Sequence, residues 1–373
     1  MLQLSATPSL LSASIAPFTT KAIRHDRLLD DSSADMVGIS PMNAMTPRER
    51  FKAIMNFQPF DRLPVVEWCM WWDETTDRWG HDGLADDLRG RDLQRHFGLD
   101  IWVQTGIGMG PVPNVTIIEP VIRTMDEYVA LVAGGLYPPN DQAVDPAHWQ
   151  PYLGPQAAGD IVLWMTLDGP FWWPRILLGD QEMLLIYYDD PELMHRIIAD
   201  MTAYHLRTVD EAVKIVKPDF MTWAEDFSYK HGPLIGRDLF DEFSAPYYRA
   251  VSDRLHEYDI PCIVDTDGNP TIAVPWFVDC GVDGLLPWEA RAGCDVAAVR
   301  KQFPKLLMIG GYDKTVMSRG ERAIRAEFER LLPTARTGGF IISCDHQTPP
   351  DVSLEDFRLY VRLFHEYAKA AAS

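Results

Sequence analysis

Eight short β-type runs, most followed by a helical stretch, limit the folds open to this chain more than any other feature. They are 63–69 (LPVVEWC), 99–104 (LDIWVQ), 161–167 (IVLWMTL), 219–224 (DFMTWA), 261–265 (PCIVD), 282–287 (VDGLLP), 306–310 (LLMIG) and 339–343 (GFIIS). From the third run onward, helical stretches alternate with them at 181–187 and 190–216, then 237–257, 270–280, 294–303, 319–332 and 353–371. Continuous apolar runs bounded by Gly, Pro or Asp suit strands buried on both faces. Their alternation with helices implies βαβ units. Eight units predict an α/β fold, a single closed (β/α)8 TIM barrel over residues 46–373, in preference to an open doubly wound sheet. A length of 373 residues is compatible with one such domain. No Gly-x-Gly-x-x-Gly follows the first run, so a dinucleotide site is not expected. Neither NAD nor ATP is an expected cofactor.

One stretch breaks the alternation. Residues 113–160 hold two β-like runs, 114–123 and 127–135, with a Pro/Gly/Asp-rich connection and no clear helix. The expectation is a β-hairpin insertion after the second strand, lying over the barrel mouth. At the other boundary, Thr46-Pro47-Arg48-Glu49 reads as a helix start, with Thr46 as N-cap, Pro47 at the first helical position and Glu49 closing a capping box. Residues 1–45 are rich in Ser, Thr and Ala, a composition shared by organelle transit peptides. They are expected to be a disordered extension, or residues ahead of a start at Met36, Met42 or Met45.

A net charge of −20 argues against nucleic-acid or anionic-membrane partners, which require a basic face. The five cysteines, at 69, 262, 280, 294 and 344, form no disulfide framework, so a reduced, cytoplasmic setting is expected. No apolar run approaches bilayer length. Twelve Trp, thirteen Tyr and sixteen Phe supply a large apolar payload, read as core packing ahead of a stacking surface.

In barrels, reactive groups sit where strands give way to their following loops. Those positions hold Glu67, Gln104, Asp168, Glu225-Asp226, Asp265-Thr266-Asp267-Gly268-Asn269, Glu289, Asp313 and Cys344-Asp345-His346. A single Asp at such a place can simply cap a helix; two acids one residue apart, Asp265 and Asp267, cannot both do so. Crowded carboxylates resolve in two ways. They share protons, which raises their pKa values and creates a general acid, or a cation neutralises them. Asp265, Asp267 and Glu289 with Cys344 and His346 make a mixed oxygen, sulfur and nitrogen set that suits zinc with an open position. Against this, Cys344 also reads as a small buried hydrophobe. Tyr229 and Lys230 could position an anionic group, and Trp172, Trp173 and Arg175 could form an aromatic, cationic wall, or Trp172 and Trp173 could belong to the core.

The segments MTPRERFKAIMNFQPFDRLPV, EDFSYKHGPLI, VDTDGN, DGLLPWEARAGCDV, LLMIGGYDK and GGFIISCDHQTPPDVSLEDF together resemble the uroporphyrinogen decarboxylase superfamily over about residues 45–370. That superfamily includes haem-pathway decarboxylases and zinc-dependent methyltransferases acting with corrinoid (cobalamin) proteins. The resemblance implies a (β/α)8 barrel with its site at the C-terminal face, and a homodimer. Two departures matter. The Arg-containing Met-Arg-Gln-Ala-Gly-Arg signature of the decarboxylases is replaced by Trp68-Cys69-Met70-Trp71-Trp72-Asp73, and their acid at the end of the second strand by Gln104. The methyltransferases hold zinc with His-x-Cys after the fifth strand and Cys after the eighth. Cys344 matches the last, while Asp265 and Asp267 stand where His and Cys would be.

These readings lead to a methyltransferase-type enzyme. A metal or proton held by Asp265, Asp267, Glu289 and Cys344 polarises a small substrate, and His346 acts as acid or base. Glu225 and Tyr229 orient the ligand, with Asp226, Lys230, Trp172, Arg175, Asn269 and Asp313 binding it. Zinc is the candidate metal, and a corrinoid protein or corrinoid-bound methyl donor the candidate partner. The alternatives are metal-independent decarboxylation of a porphyrinogen or smaller aromatic acid, and a non-catalytic corrinoid or tetrapyrrole binder.

Overall fold

The computed structural model describes residues 44–372 apart from 86, 108, 110, 111 and 113–118. The expected N-terminal extension therefore lies almost wholly outside the described residues. Nine strands follow in chain order: β1 (Ile101–Gly106), β2 (Ile161–Asp168), β3 (Phe220–Ala224), β4 (Ser228–Tyr229), β5 (Gly232–Pro233), β6 (Cys262–Asp265), β7 (Gly284–Leu286), β8 (Leu307–Tyr312) and β9 (Phe340–Cys344). Seven of them form one curled, all-parallel sheet in the order β1-β2-β3-β6-β7-β8-β9. The short β4 and β5 pair antiparallel, a small hairpin beyond the end of β3. Seven of the eight predicted runs are thus strands, joined by helices as βαβ connection requires.

The first run, 63–69, is not a ladder strand. Pro64 has no N–H to give, and the segment is held by backbone bonds together with bonds to side chains. The Asp100 N–H donates to the Val65 carbonyl at 2.8 Å, and the Val65 N–H to Asp100 Oδ2 at 2.9 Å. On the other side Ser343 Oγ donates to the Val66 carbonyl at 2.9 Å and accepts from the Trp68 N–H at 3.1 Å. Residues 65–68 therefore bond both to the residue that precedes β1 and to β9, the two edges of the sheet.

The expected hairpin insertion is corrected in its second run. Residues Met125–Ala133 form a helix, because Thr124 and Glu127 make a reciprocal capping box that satisfies the first free N–H groups. A second helix, Pro146–Ala158, follows, capped by Asp145 with Pro146 at its first position. Most of the first run, 114–123, lies outside the described residues. The capping box expected at Thr46 and Glu49 is present and starts the helix Pro47–Met55.

Charged clamps fasten the N-terminal ends of the strands. Asp100 takes two 2.7 Å bonds from Arg62, and Asp219 takes 2.7 Å from Arg48 and 3.1 Å from the Leu163 N–H. Aromatic rings fill the space between sheet and helices. Phe220 stacks on Phe51 and Trp164 at 5.1 and 5.4 Å. Trp79, Trp102, Trp149, Trp223 and Trp288 are fully buried, so core packing accounts for most of the tryptophan excess. Among the described residues no helix is long and apolar enough to cross a membrane.

Register sets what the strand ends present. Asp168, Ala224, Asp265 and Leu286 pair across β2, β3, β6 and β7 in one row. Paired residues of a parallel sheet point to the same face, so Asp168 and Asp265 share one face, two strand spacings or about 10 Å apart. One layer nearer the strand starts, Gln104 Nε2 donates to Thr166 Oγ1 at 2.8 Å, and Thr166 and Thr222 hydroxyls lie 2.9 Å apart.

Candidate active site

The end of β6 with its loop, the residues after β3 and β9, and the helix Trp172–Leu178 after β2 bring five predicted groups together. Asp265 ends β6. Burial first, then repulsion from Asp267 and Asp226, pushes its carboxyl well above the usual range. Asp226 follows β3 and holds a left-handed backbone with φ of 44°, a conformation that Asp tolerates better than most residues. Burial and the Asp267 charge push it up to about 6, opposed by Arg175 and His346. Arg175 Nη1 stands 3.9 Å from Asp226 Oδ2. His346 Nε2 lies 3.4 Å from Asp267 Oδ2. Because the Gln347 N–H donates to His346 Nδ1 at 2.8 Å, the neutral ring carries its proton on Nε2, facing the acid. The edge of Trp72 packs on the same imidazole at 6.0 Å.

Two groups not singled out for the site stand beside this cluster. Cys69 is half-buried, and burial with repulsion from Glu67, Asp265 and Asp267 raises its thiol well above the ordinary value, against Lys314. Asp168 is pushed up to about 6 by burial alone, and its carboxyl has no hydrogen-bond partner among the described residues. Cys69 closes a predicted β-run and Asp168 immediately follows one. The signal was present: each is a polar side chain at a strand end.

The other predicted residues are held elsewhere. Glu225 is buried in the wall, where the Phe171 and Trp172 N–H groups donate to it at 3.1 and 3.2 Å and the Tyr248 hydroxyl also donates. Burial outweighs these donors and raises it to about 8. Gly169 makes room for it, since a Cβ there would lie 1.6 Å from Glu225 Oε2. Trp172 is buried under Arg175, whose guanidinium lies 5.3 Å from the indole. Glu289 takes the Gly268 N–H at 2.8 Å and sits 3.7 Å from Lys314. Asn269 ties its loop to Thr271 and Ala292. Asp313 caps the turn Lys314–Arg319 through Thr315, the capping role open to any strand-end acid. Tyr229 is 49% exposed; its carbonyl accepts from the Asn269 N–H. Lys230 is exposed and makes no ion pair among the described residues. Cys344 is fully buried behind the mouth, close to Glu67 and Cys69.

The proposed zinc set can be tested on these placements. Among the described residues, the one group of three or more His, Cys, Asp or Glu with ligand atoms within 4.8 Å of one another is His256, Cys262 and Asp283. Cys344, Asp265, Asp267 and Glu289 do not form such a group. Glu289 is already committed to Gly268 and Lys314, and the Cys344 thiol is neutralised by burial. These four residues do not fit zinc as they stand. What the arrangement can do is favour the protonated form of Asp226 and Asp265, with Asp267 and the His346 imidazole beside them.

Comparison with known proteins places the chain in one family. The family model described as Uroporphyrinogen decarboxylase (URO-D) matches residues 153–367, a span that includes Arg175, Asp226, Asp265, Asp267 and His346. A uroporphyrinogen decarboxylase of Actinobacillus succinogenes is 26% identical over 198 residues, 49% of this chain and 51% of that one. Another, of Ruthia magnifica subsp. Calyptogena magnifica, is 21% identical over 193 residues, covering 49% and 52%. The chain spans about half the length of the curated relatives it matches. Among solved structures, a methyltransferase from Methanosarcina mazei superposes with a TM-score of 0.61 at 16% identity, covering 87% of this chain and 99% of that one, a likeness of fold. With more than half of its length matched by the family model, this chain belongs to the uroporphyrinogen decarboxylase family.

Proposed function

We propose that this chain is a methyltransferase-type enzyme of the family. It takes a methyl group from a small neutral or cationic substrate and delivers a proton from the Asp226–Asp265–Asp267 cluster to the atom the methyl leaves. The observation that carries the reading is the mutual crowding of these three carboxylates with a single facing guanidinium, Arg175. A buried acid kept protonated near neutral pH is a general acid. His346, with Nε2 turned toward Asp267, restores the proton from the mouth. A corrinoid-bearing partner is the methyl carrier that this reading requires. The eighth stave of a closed (β/α)8 barrel is, on this reading, segment 63–68, pinned to both sheet edges.

The competing reading is decarboxylation of a porphyrinogen, the activity named for the curated relatives. Uroporphyrinogen carries eight carboxylates, and a mouth lined by Asp168, Asp226, Asp265 and Asp267 repels them. Its nearby cations are already engaged: Arg175 with Asp180 and Asp226, and Lys314 with Glu289. Both reactions can be assayed on the same preparation, with methylated amines and aryl ethers plus reduced cobalamin in one arm and uroporphyrinogen in the other. Methylcobalamin formation is expected, with kcat falling about 10²–10⁴-fold in Asp265→Asn. Carbon dioxide release from uroporphyrinogen, with no methyl transfer, would overturn the proposal.

A further inference from the structure

At the opposite end of β6 from Asp265 lies a second cluster that the proposed reaction does not use. His256 Nε2 is 2.9 Å from Asp283 Oδ2. Cys262 Sγ is 3.4 Å from the same oxygen and 3.9 Å from the same nitrogen. The Gly281 carbonyl and Ser252 Oγ lie 3.5 and 3.6 Å from the sulfur. Three chemically different donors, imidazole nitrogen, thiol sulfur and carboxylate oxygen, thus converge on one point.

We propose that His256, Cys262 and Asp283 bind a divalent transition ion of the zinc type, as a structural site at the N-terminal face of the sheet. Tetrahedral zinc, with bonds of about 2.0 Å to N and O and about 2.3 Å to S, places its donors roughly 3.3–3.6 Å apart. The three edges of the cluster, 2.9, 3.4 and 3.9 Å, bracket that range. A Cys–His–Asp nucleophile relay needs the acid and the thiol on different ring nitrogens. Here both face Nε2, which suits a shared ion and not a relay.

The surroundings orient the donors. The Cys262 N–H donates to the same Asp283 Oδ2 at 2.9 Å, which holds the carboxylate in place. Cys262 opens β6 and Asp283 immediately precedes β7, while His256 lies in the last turn of the helix Ala245–Glu257. An ion here ties two strand starts to one helix end. Gly281, at φ of 82°, packs against Ser252 and His256, where a Cβ would come within 3.3 Å of the Ser252 Cβ. The Cys262 side chain is buried whereas His256 is 41% exposed, so the ion has an entry path past the imidazole. Uptake releases the thiol proton, and the site saturates better as pH rises. Three residue steps along β6 separate Cys262 from Asp265, about 10 Å. The ion therefore stabilises the fold and touches no group at the mouth.

Zn²⁺ and Co²⁺ titrations of the full chain, freed of metal by chelator, test the assignment. One ion per chain is expected, with a sulfur-to-cobalt charge-transfer band and a raised melting temperature on Zn²⁺ addition. Asp265→Ala and Cys344→Ala should leave binding unchanged. Cys262→Ser and the surface variant His256→Ala should each weaken it by more than the roughly 10–100-fold that losing an outer-shell partner costs. No stoichiometric binding by the wild-type chain, or binding unaffected in both Cys262→Ser and His256→Ala, overturns the proposal. The methyltransferase assay does not depend on either result.

Discussion

Single acids divide into two kinds once their surroundings are known. Glu67 and Glu225 are fully buried, each accepting from a tyrosine hydroxyl, and burial lifts both from 4.5 to about 8. In the unfolded chain these glutamates ionise near 4.5; in the folded chain they keep their protons to about 8. The folded state therefore binds more protons across that window. Their contribution to stability is fully present below 4.5 and is lost as pH rises toward 8. Urea midpoints taken across this window should fall with rising pH, and the fall should be shallower in Glu225→Gln. An unchanged slope in that variant would place an ionised group at Glu225. Sequence could mark Glu225 as a strand-end acid, but not that it faces inward. That depends on Gly169, a residue 56 positions away in the loop after β2, and on Tyr248 in a later helix. The crowding of Asp265 with Asp267 was legible for the opposite reason: one residue apart at a strand end, they repel each other whatever the rest of the chain does.

At the scale of elements, local signals were reliable wherever the backbone satisfied itself and failed where side chains did that work. The runs that became β1 to β3 and β6 to β9 are apolar stretches whose ladders need no help. Residues 63–68 look the same in sequence, yet their bonds depend on Asp100 and Ser343, one of them more than 270 residues distant. Ser343 is fully buried, so Ser343→Ala strands the Val66 carbonyl and the Trp68 N–H. The variant should lose about 1–3 kcal/mol in chemical denaturation. The helix Met125–Ala133 was misread as a strand because its apolar residues were weighted above its start signal, Thr124 followed by Glu127. Thr124 is exposed and packs against little. Thr124→Ala should cost about 0.5–2 kcal/mol through the lost cap, whereas a strand at this position would leave stability unchanged or improved.

The whole molecule supplies what no segment holds alone. Asp226 follows β3, Asp265 and Asp267 end and follow β6, His346 follows β9 and Arg175 lies in the helix Trp172–Leu178, and register places Asp168 and Asp265 in one row. Their crowding exists only in the folded chain, so the raised pKa values of Asp226 and Asp265 are a property of the assembled sheet. The same assembly keeps the Cys262 cluster at the far end of β6, out of the chemistry. The most direct test is infrared difference spectroscopy at neutral pH between the wild-type chain and Asp265→Asn, with the carboxylic-acid carbonyl stretch as the readout. The wild type should show a protonated-carboxyl band that shifts in D₂O and is missing from Asp265→Asn. A difference spectrum showing loss of an ionised carboxylate instead would mean that Asp265 carries no proton, and would contradict the account.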